Sequence, residues 1–216
     1  MVQAVIFDLD GTLLDTSESI VECASYAADT LGCPPLPREQ LLGFIGPPLN
    51  VAFPRYFGLD NKKTEEAVRL FRRHYQDGAI YHARPYEGIF SLCETLRNRG
   101  IRMAVATNKL EPMARRLLAH FDLARYLDPI CGSVPEGSRS KADCIRLCLE
   151  EFRLSPEQAV LIGDTEYDAE GAKGVGTPFL AVTYGFGFRS PEDTAGRSFF
   201  GTADSPMGAA KIHLGE

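Results

Sequence analysis

The sequence predicts an α/β fold, a doubly wound parallel sheet with an inserted all-helical domain. Three observations predict it. Short, nearly all-apolar runs recur along the chain, as expected for strands buried on both faces of a parallel sheet. Helical patterns lie between those runs, which is how parallel strands are joined. Residues 15–84, directly after the first run, carry helical patterns only.

Val2–Phe7 is the first apolar run and stops on acidic residues, so it reads as a buried strand. Ser17–Leu31 reads as a helix with Thr16 as its N-cap. Leu36–Gly58 holds seven prolines and glycines among short helical pieces. Asn61–Tyr81 reads as one long helix, with Thr64, Glu65 and Glu66 near its start. Pro85 marks the return of the alternating pattern. A helix over Glu87–Arg99 ends at Gly100, a C-cap residue. A strand at Ile101–Ala106, a helix over Leu110–Phe121 and a weaker strand at Tyr126–Cys131 follow. Next come a helix over Lys141–Phe152, a strand at Ala159–Ile162, a helix over Thr165–Val175 and a strand at Pro178–Val182. Residues 184–190 read as a loop, Ser190–Gly196 as a short helix and Ser198–Phe200 as a last short strand. The remaining tail reads as a poor helix, interrupted by Pro206 and Gly208. The organisation is therefore an α/β core over 1–14 and 85–216, with a helical domain over 15–84. That insertion enters at the C-terminal end of the first strand, the edge where open α/β sheets bind ligands. Its position implies a lid.

Composition narrows the function. The 216 residues include 23 Lys and Arg against 29 Asp and Glu, a net charge of −6. That balance argues against a broad nucleic-acid or anionic-membrane surface, since those partners reward clustered basic residues. With 44% hydrophobic and 24% charged residues the chain is globular rather than disordered. No apolar run approaches the roughly 20 residues needed to cross a bilayer. No secretory signal is visible, so a cytoplasmic protein is expected. Cys23, Cys33, Cys93, Cys131, Cys144 and Cys148 form no CxxC pair, and the four histidines are scattered, so neither a zinc site nor a disulfide framework is expected. Cys144 and Cys148, at i and i+4, read as small apolar groups on a buried helix face.

Four features carry chemistry. Asp8-Leu9-Asp10-Gly11-Thr12 closes the first strand, and two carboxylates two residues apart share one side of an extended chain. Neighbouring anions call for a cation or a shared proton. Read alone, the same residues are an acidic turn, for which Asp-Gly is a common pair. Gly163-Asp164-Thr165-Glu166-Tyr167-Asp168 follows another apolar strand and sets two acids at i and i+4 near a helix start. Two acidic clusters on one sheet edge suit Mg²⁺, which takes hard oxygen ligands. Thr107-Asn108-Lys109 follows the second strand, where a hydroxyl and free amides suit a phosphate, though a helix cap uses the same residues. Lys141 opens the helix after the third strand; a lone lysine is ordinarily solvent-facing, and its meaning comes from the set.

In this order and at these strand ends, the four features resemble the haloacid dehalogenase superfamily over nearly the whole chain. The insert is similar to the C1-type cap of the phosphoglycolate phosphatase-like branch. GSVPEGSRSK (132–141), GDTEYD (163–168) and VTYGFG (182–187) resemble a bacterial subgroup labelled phosphoglycolate phosphatase or 5′-nucleotidase-like. The resemblance implies Asp8 as nucleophile, Asp10 as general acid/base, and Thr107, Asn108 and Lys141 around the phosphoryl group. It implies Mg²⁺ held by Asp8, the Asp10 backbone carbonyl and Asp164, with Asp168 a ligand or a group ordering the metal's waters and Lys141. The implied activity is Mg²⁺-dependent hydrolysis of small phosphate monoesters, phosphoglycolate- or nucleoside-monophosphate-like, through an aspartyl phosphate. The alternatives are a phosphosugar mutase on the same core and a catalytically idle binding module; the complete set Asp8, Asp10, Thr107, Lys141 and Asp164 argues against the latter. Asp10 argues against a dehalogenase, and the polar surroundings of Lys62 and Lys63 against a Schiff-base phosphonate hydrolase. Substrate choice is expected in the cap, at Phe44, Ile45, Gly46 and Arg55. The expected partner is a small phosphorylated metabolite, with no nucleic acid and no membrane, for a monomer or homodimer. Two departures stand out. Proline does not follow Lys141, where Ala142 and Asp143 stand instead, and the tail lacks a clear final strand and helix.

Overall fold

The structure, a computed structural model, describes residues 2–134, 139–194 and 199–214. In chain order the elements are β1 (Ala4–Phe7), β2 (Leu14–Asp15), α1 (Ser17–Thr30), α2 (Arg38–Leu42), α3 (Leu49–Phe57), α4 (Asn61–Gln76), β3 (Arg84–Pro85), α5 (Ile89–Asn98) and β4 (Arg102–Leu110). There follow α6 (Glu111–His120), β5 (Ile130–Ser133), α7 (Lys141–Phe152), β6 (Ala159–Gly163), α8 (Glu166–Val175), β7 (Phe179–Val182), β8 (Gly201–Ala203) and α9 (Pro206–Leu214).

One parallel sheet has the order β5-β4-β1-β6-β7-β8. β1 sits inside it, and Ala4, Val5, Ile6 and Phe7 are all fully buried, which is why the strand reads as an unbroken apolar run. From β1 the chain winds to β4 and β5, then returns to the other side of β1 for β6, β7 and β8. The direction of winding therefore reverses at β1, and the C-terminal ends of β4, β1 and β6 border the crevice where such sheets place a ligand.

The chain divides into two compact units, Met1–Leu14 with Pro85–Glu216, and Asp15–Arg84. The first holds the sheet. The second is built from α1–α4 around an aromatic cluster in which Phe44 packs on Phe53, Tyr56 and Phe57.

Several boundaries differ from the sequence reading. α4 ends at Gln76 because Gly78 turns the backbone to φ 146°, and a separate 3-10 turn covers Ala79–Tyr81. Thr16 occupies the N-cap position of α1, but its hydroxyl makes no cap bond. Asp15 Oδ1 instead accepts from the Ser17 amide at 3.1 Å and hydroxyl at 2.7 Å. The expected helix beginning at Leu110 starts at Glu111, because β4 runs on through Thr107–Leu110 with a register irregularity after Ala106. The tail corrects the sequence reading most clearly, since it forms both β8 and α9. Pro206 stands at the first helical position, where a missing N–H costs nothing, and Ser205 Oγ accepts the Gly208 amide at 3.2 Å. Ser198, expected to open the last strand, and Ala195 and Gly196 of the expected short helix lie outside the described residues; that helix is a 3-10 turn over Pro191–Thr194. No helix among the described residues is long and apolar enough to cross a membrane.

Candidate active site

Asp8 and Asp10 leave the end of β1, Thr107 lies on the irregular end of β4, and Asp164 follows β6. Neighbouring parallel strands therefore carry the acids and the hydroxyl to one edge. Lys141 reaches the same place from the first turn of α7. That turn is fixed by a capping box in which Ser140 Oγ accepts the Asp143 amide and Asp143 accepts the Ser140 amide.

The lysine is buried, 6% exposed, and its Nζ lies 2.6 Å from Asp8 Oδ1 and donates to the Ala106 carbonyl at 3.0 Å. It also lies 2.7 Å from Asp168 Oδ1, a charge contact without hydrogen-bond geometry. Asp168 is itself held by the Thr165 amide at 2.9 Å and the Thr165 hydroxyl at 2.7 Å. Asp164 Oδ2 accepts the Phe186 amide at 2.7 Å, and Asp164 Oδ1 faces the Thr12 hydroxyl at 3.4 Å. A Cβ on Gly11, which has φ +92°, would collide with the Asp164 carboxylate, so only glycine fits there.

Asp8, Asp164 and Asp168 are all buried, and each offers an oxygen within 4.8 Å of the others. Burial pushes the Asp8 carboxyl up to about 7; Lys141 pulls it down, while Asp168 and Asp10 oppose Lys141. Burial, then Asp168 and Asp8, likewise hold Asp164 well above the ordinary carboxylate range. Burial alone would favour a neutral Lys141, but the charges of Asp168 and Asp8 outweigh it and raise its pKa. Three buried carboxylates against one ammonium make a donor set that fits a hard divalent cation, which takes oxygen ligands.

Asp10 stands apart from this cluster. Its two oxygens accept from Lys109 Nζ at 2.7 and 2.9 Å. Thr107 Oγ1 accepts the Lys109 amide at 3.2 Å, and Asn108 lies between them, half-buried. In the helical unit, Phe44 is 2% exposed and part of the aromatic core, so burial explains it without a ligand. Ile45 is buried as well; Gly46 has φ 102°, and the Arg55 guanidinium lies over Tyr56. Cys144 and Cys148 are fully buried in the sheet core, as their spacing implies.

The sequence reading named Lys109 only as part of the Thr107-Asn108-Lys109 motif and quoted VTYGFG (182–187) only for its resemblance; it foresaw neither the Lys109–Asp10 contact nor the Tyr184–Phe188 amides that hold Asp164. Gly185 carries the missed signal: a Cβ there would meet both Asp164 and the Gly11 carbonyl.

The haloacid dehalogenase-like hydrolase family model matches residues 5–182. The chain belongs to that family. It is 37% identical to the tyrosine-protein kinase PtkA of Mycobacterium tuberculosis over 86% of this chain and 63% of that protein, so it spans less than two thirds of that relative. It is also 37% identical to a 5'-nucleotidase of Pseudomonas aeruginosa, over 85% of this chain and 83% of that one. The crystal structure of a predicted phosphatase from Clostridium acetobutylicum superposes with a TM-score of 0.93 at 32% identity, covering 100% of both chains.

Proposed function

We propose that this hydrolase is a Mg²⁺-dependent phosphatase of small phosphate monoesters that works through a phosphorylated Asp8. One observation carries the reading: Asp8 Oδ1 lies 2.6 Å from Lys141 Nζ beside two further buried carboxylates. That is a nucleophile with its counter-charge built in. Asp8 and Asp164 are the side chains proposed to hold Mg²⁺, with the Asp10 backbone carbonyl, and Asp168 as a further ligand or as the group ordering Lys141. The metal, when bound, supplies the positive charge that lets an anionic phosphate approach carboxylates.

The residues then divide the work. Asp8 Oδ attacks phosphorus as the ester P–O bond breaks, and Asp10 gives its proton to the leaving oxygen. Asp10 next takes a proton from the water that attacks the same phosphorus, which returns Asp8 as a carboxylate and releases inorganic phosphate. Thr107 and Asn108 bind the phosphoryl oxygens, and Lys141 offsets the charge that gathers between Asp8 and phosphate. The helical unit enters the chain after Asp8 and Asp10, and in this reading it is the cap that sets substrate choice, with Gly46 and Arg55 as its candidate contacts. The 37% identity to a protein named tyrosine-protein kinase favours a second reading, phosphoryl transfer to a tyrosine hydroxyl instead of water.

The test is a panel of phosphate monoesters with Mg²⁺, phosphoglycolate and nucleoside monophosphates included. Phosphate release that EDTA abolishes and Mg²⁺ restores is expected. Asp8→Asn should remove it, and Asp10→Asn should slow it by about 10²–10⁴-fold. Full turnover by a mass-verified Asp8→Asn protein contradicts the reading. Phosphotyrosine formed from a nucleoside triphosphate, without release of phosphate from any monoester, favours the second reading.

A further inference from the structure

The geometry points to Lys109 as the positioning residue of Asp10, a role that rests on the phosphatase reading above. Asp8 and Asp10 leave the same strand end two residues apart, yet each has its own ammonium partner. Lys141, from α7, takes Asp8 at 2.6 Å. Lys109, from the end of β4, takes both oxygens of Asp10 at 2.7 and 2.9 Å. A single cation on both oxygens leaves a carboxylate little freedom to rotate, so Lys109 fixes which way Asp10 faces.

Stability gives little reason for such a pair. The two side chains are only 9% and 12% exposed, and desolvating a buried ion pair offsets most of its attraction. Apolar residues of similar volume would serve the fold as well. The pair also joins two parts of the proposed machinery. The Lys109 amide donates to Thr107 Oγ1, the hydroxyl assigned to the phosphoryl group, while its ammonium holds the acid/base. Lys109 thus links the place where phosphate binds to the group that must meet the leaving oxygen. An acid/base out of line by about an ångström loses much of its effect.

A positioning role has a signature that a structural role lacks. Asp10 must give a proton to a poor alkoxide leaving group, whereas p-nitrophenolate departs without one. The experiment compares an alkyl monophosphate with p-nitrophenyl phosphate, Mg²⁺ present, in wild type, Lys109→Met, Asp10→Asn and the double variant, using rapid mixing to resolve the first turnover. Lys109→Met is expected to lower kcat/KM for the alkyl ester by about 10²-fold or more. With p-nitrophenyl phosphate it should keep a fast burst of p-nitrophenol near wild type and slow only the steady state, which needs Asp10 to activate water. Added to Asp10→Asn, Lys109→Met should cost less than about threefold, because its partner is already disabled. The double variant is charge-balanced, so it remains informative if the single one folds poorly. Lys109→Arg, whose fork can still grip both oxygens, should restore most of the alkyl-ester rate. Equal losses on both esters, or losses that multiply in the double variant, overturn the inference while leaving the phosphatase reading intact. No turnover of any monoester by wild type overturns the phosphatase reading, and the inference with it.

Discussion

At the residue scale, the surroundings of Asp8, the proposed nucleophile, make a pH prediction. Burial lifts its carboxyl from an ordinary value of 3.8 to about 7 in the metal-free chain. Between those values the folded chain keeps a proton that the unfolded chain has lost, so this group takes stability away as pH rises through that window. A divalent cation held as proposed by the ionised cluster would reverse the loss. The rise in Tm on adding Mg²⁺ should therefore be larger at about pH 8 than at about pH 5.5. An equal shift at both would contradict the assignment. Asp8, Asp10, Lys141 and Asp164 could be picked out in the sequence because each follows an apolar strand or opens a helix at a motif position; Thr107 follows an apolar run too, although β4 continues through it to Leu110. Lys109 stood in the same motif as Thr107 and Asn108, but its partner was not legible, because nothing local marks a lysine held by a carboxylate 99 residues away.

Elements place those residues, and their packing is tight where it matters. A Cβ on Gly171 of α8 would sit 2.5 Å from Lys141 Cγ, so α7 and α8 can approach only because no side chain intervenes. Gly171→Ala should destabilise the fold by about 1–3 kcal/mol and reduce kcat by displacing the Lys141 stem; urea unfolding and steady-state kinetics check both. Unchanged kcat would mean that Lys141 is not held by this contact. α9 gives the opposite lesson about legibility. Pro206 and Gly208 look like breakers by propensity, but one stands at the first helical position and the other at the cap's hydrogen bond. Position within an element, not residue type, decided the outcome. Ser205→Ala should cost about 1 kcal/mol in thermal unfolding; no loss would mean that the Ser205 cap does not support α9.

At the scale of the whole molecule, the alternation of apolar runs and helical patterns was enough to give the parallel sheet, because buried strands have no polar face to obscure them. The irregular end of β4 was hidden, since Thr107–Lys109 carry no strand periodicity and lie in the irregularity between Ala106 and Leu110, the residues that pair with β5. The sheet core supports everything placed at its edge. Leu161, fully buried on β6, should cost about 2–5 kcal/mol when cut to alanine, measured by urea unfolding; a loss near zero would contradict its place in the core. Every proposed role at this edge depends on Asp8 becoming covalently phosphorylated. The most direct measurement mixes the Asp10→Asn protein with Mg²⁺ and p-nitrophenyl phosphate, quenches it in acid within one turnover, and maps the digest by mass spectrometry. One phosphoryl group on the peptide containing Asp8, absent in the Asp8→Asn/Asp10→Asn double variant, is the predicted result. Release of p-nitrophenol and inorganic phosphate together, with no phosphorylated peptide at any quench time, would contradict it.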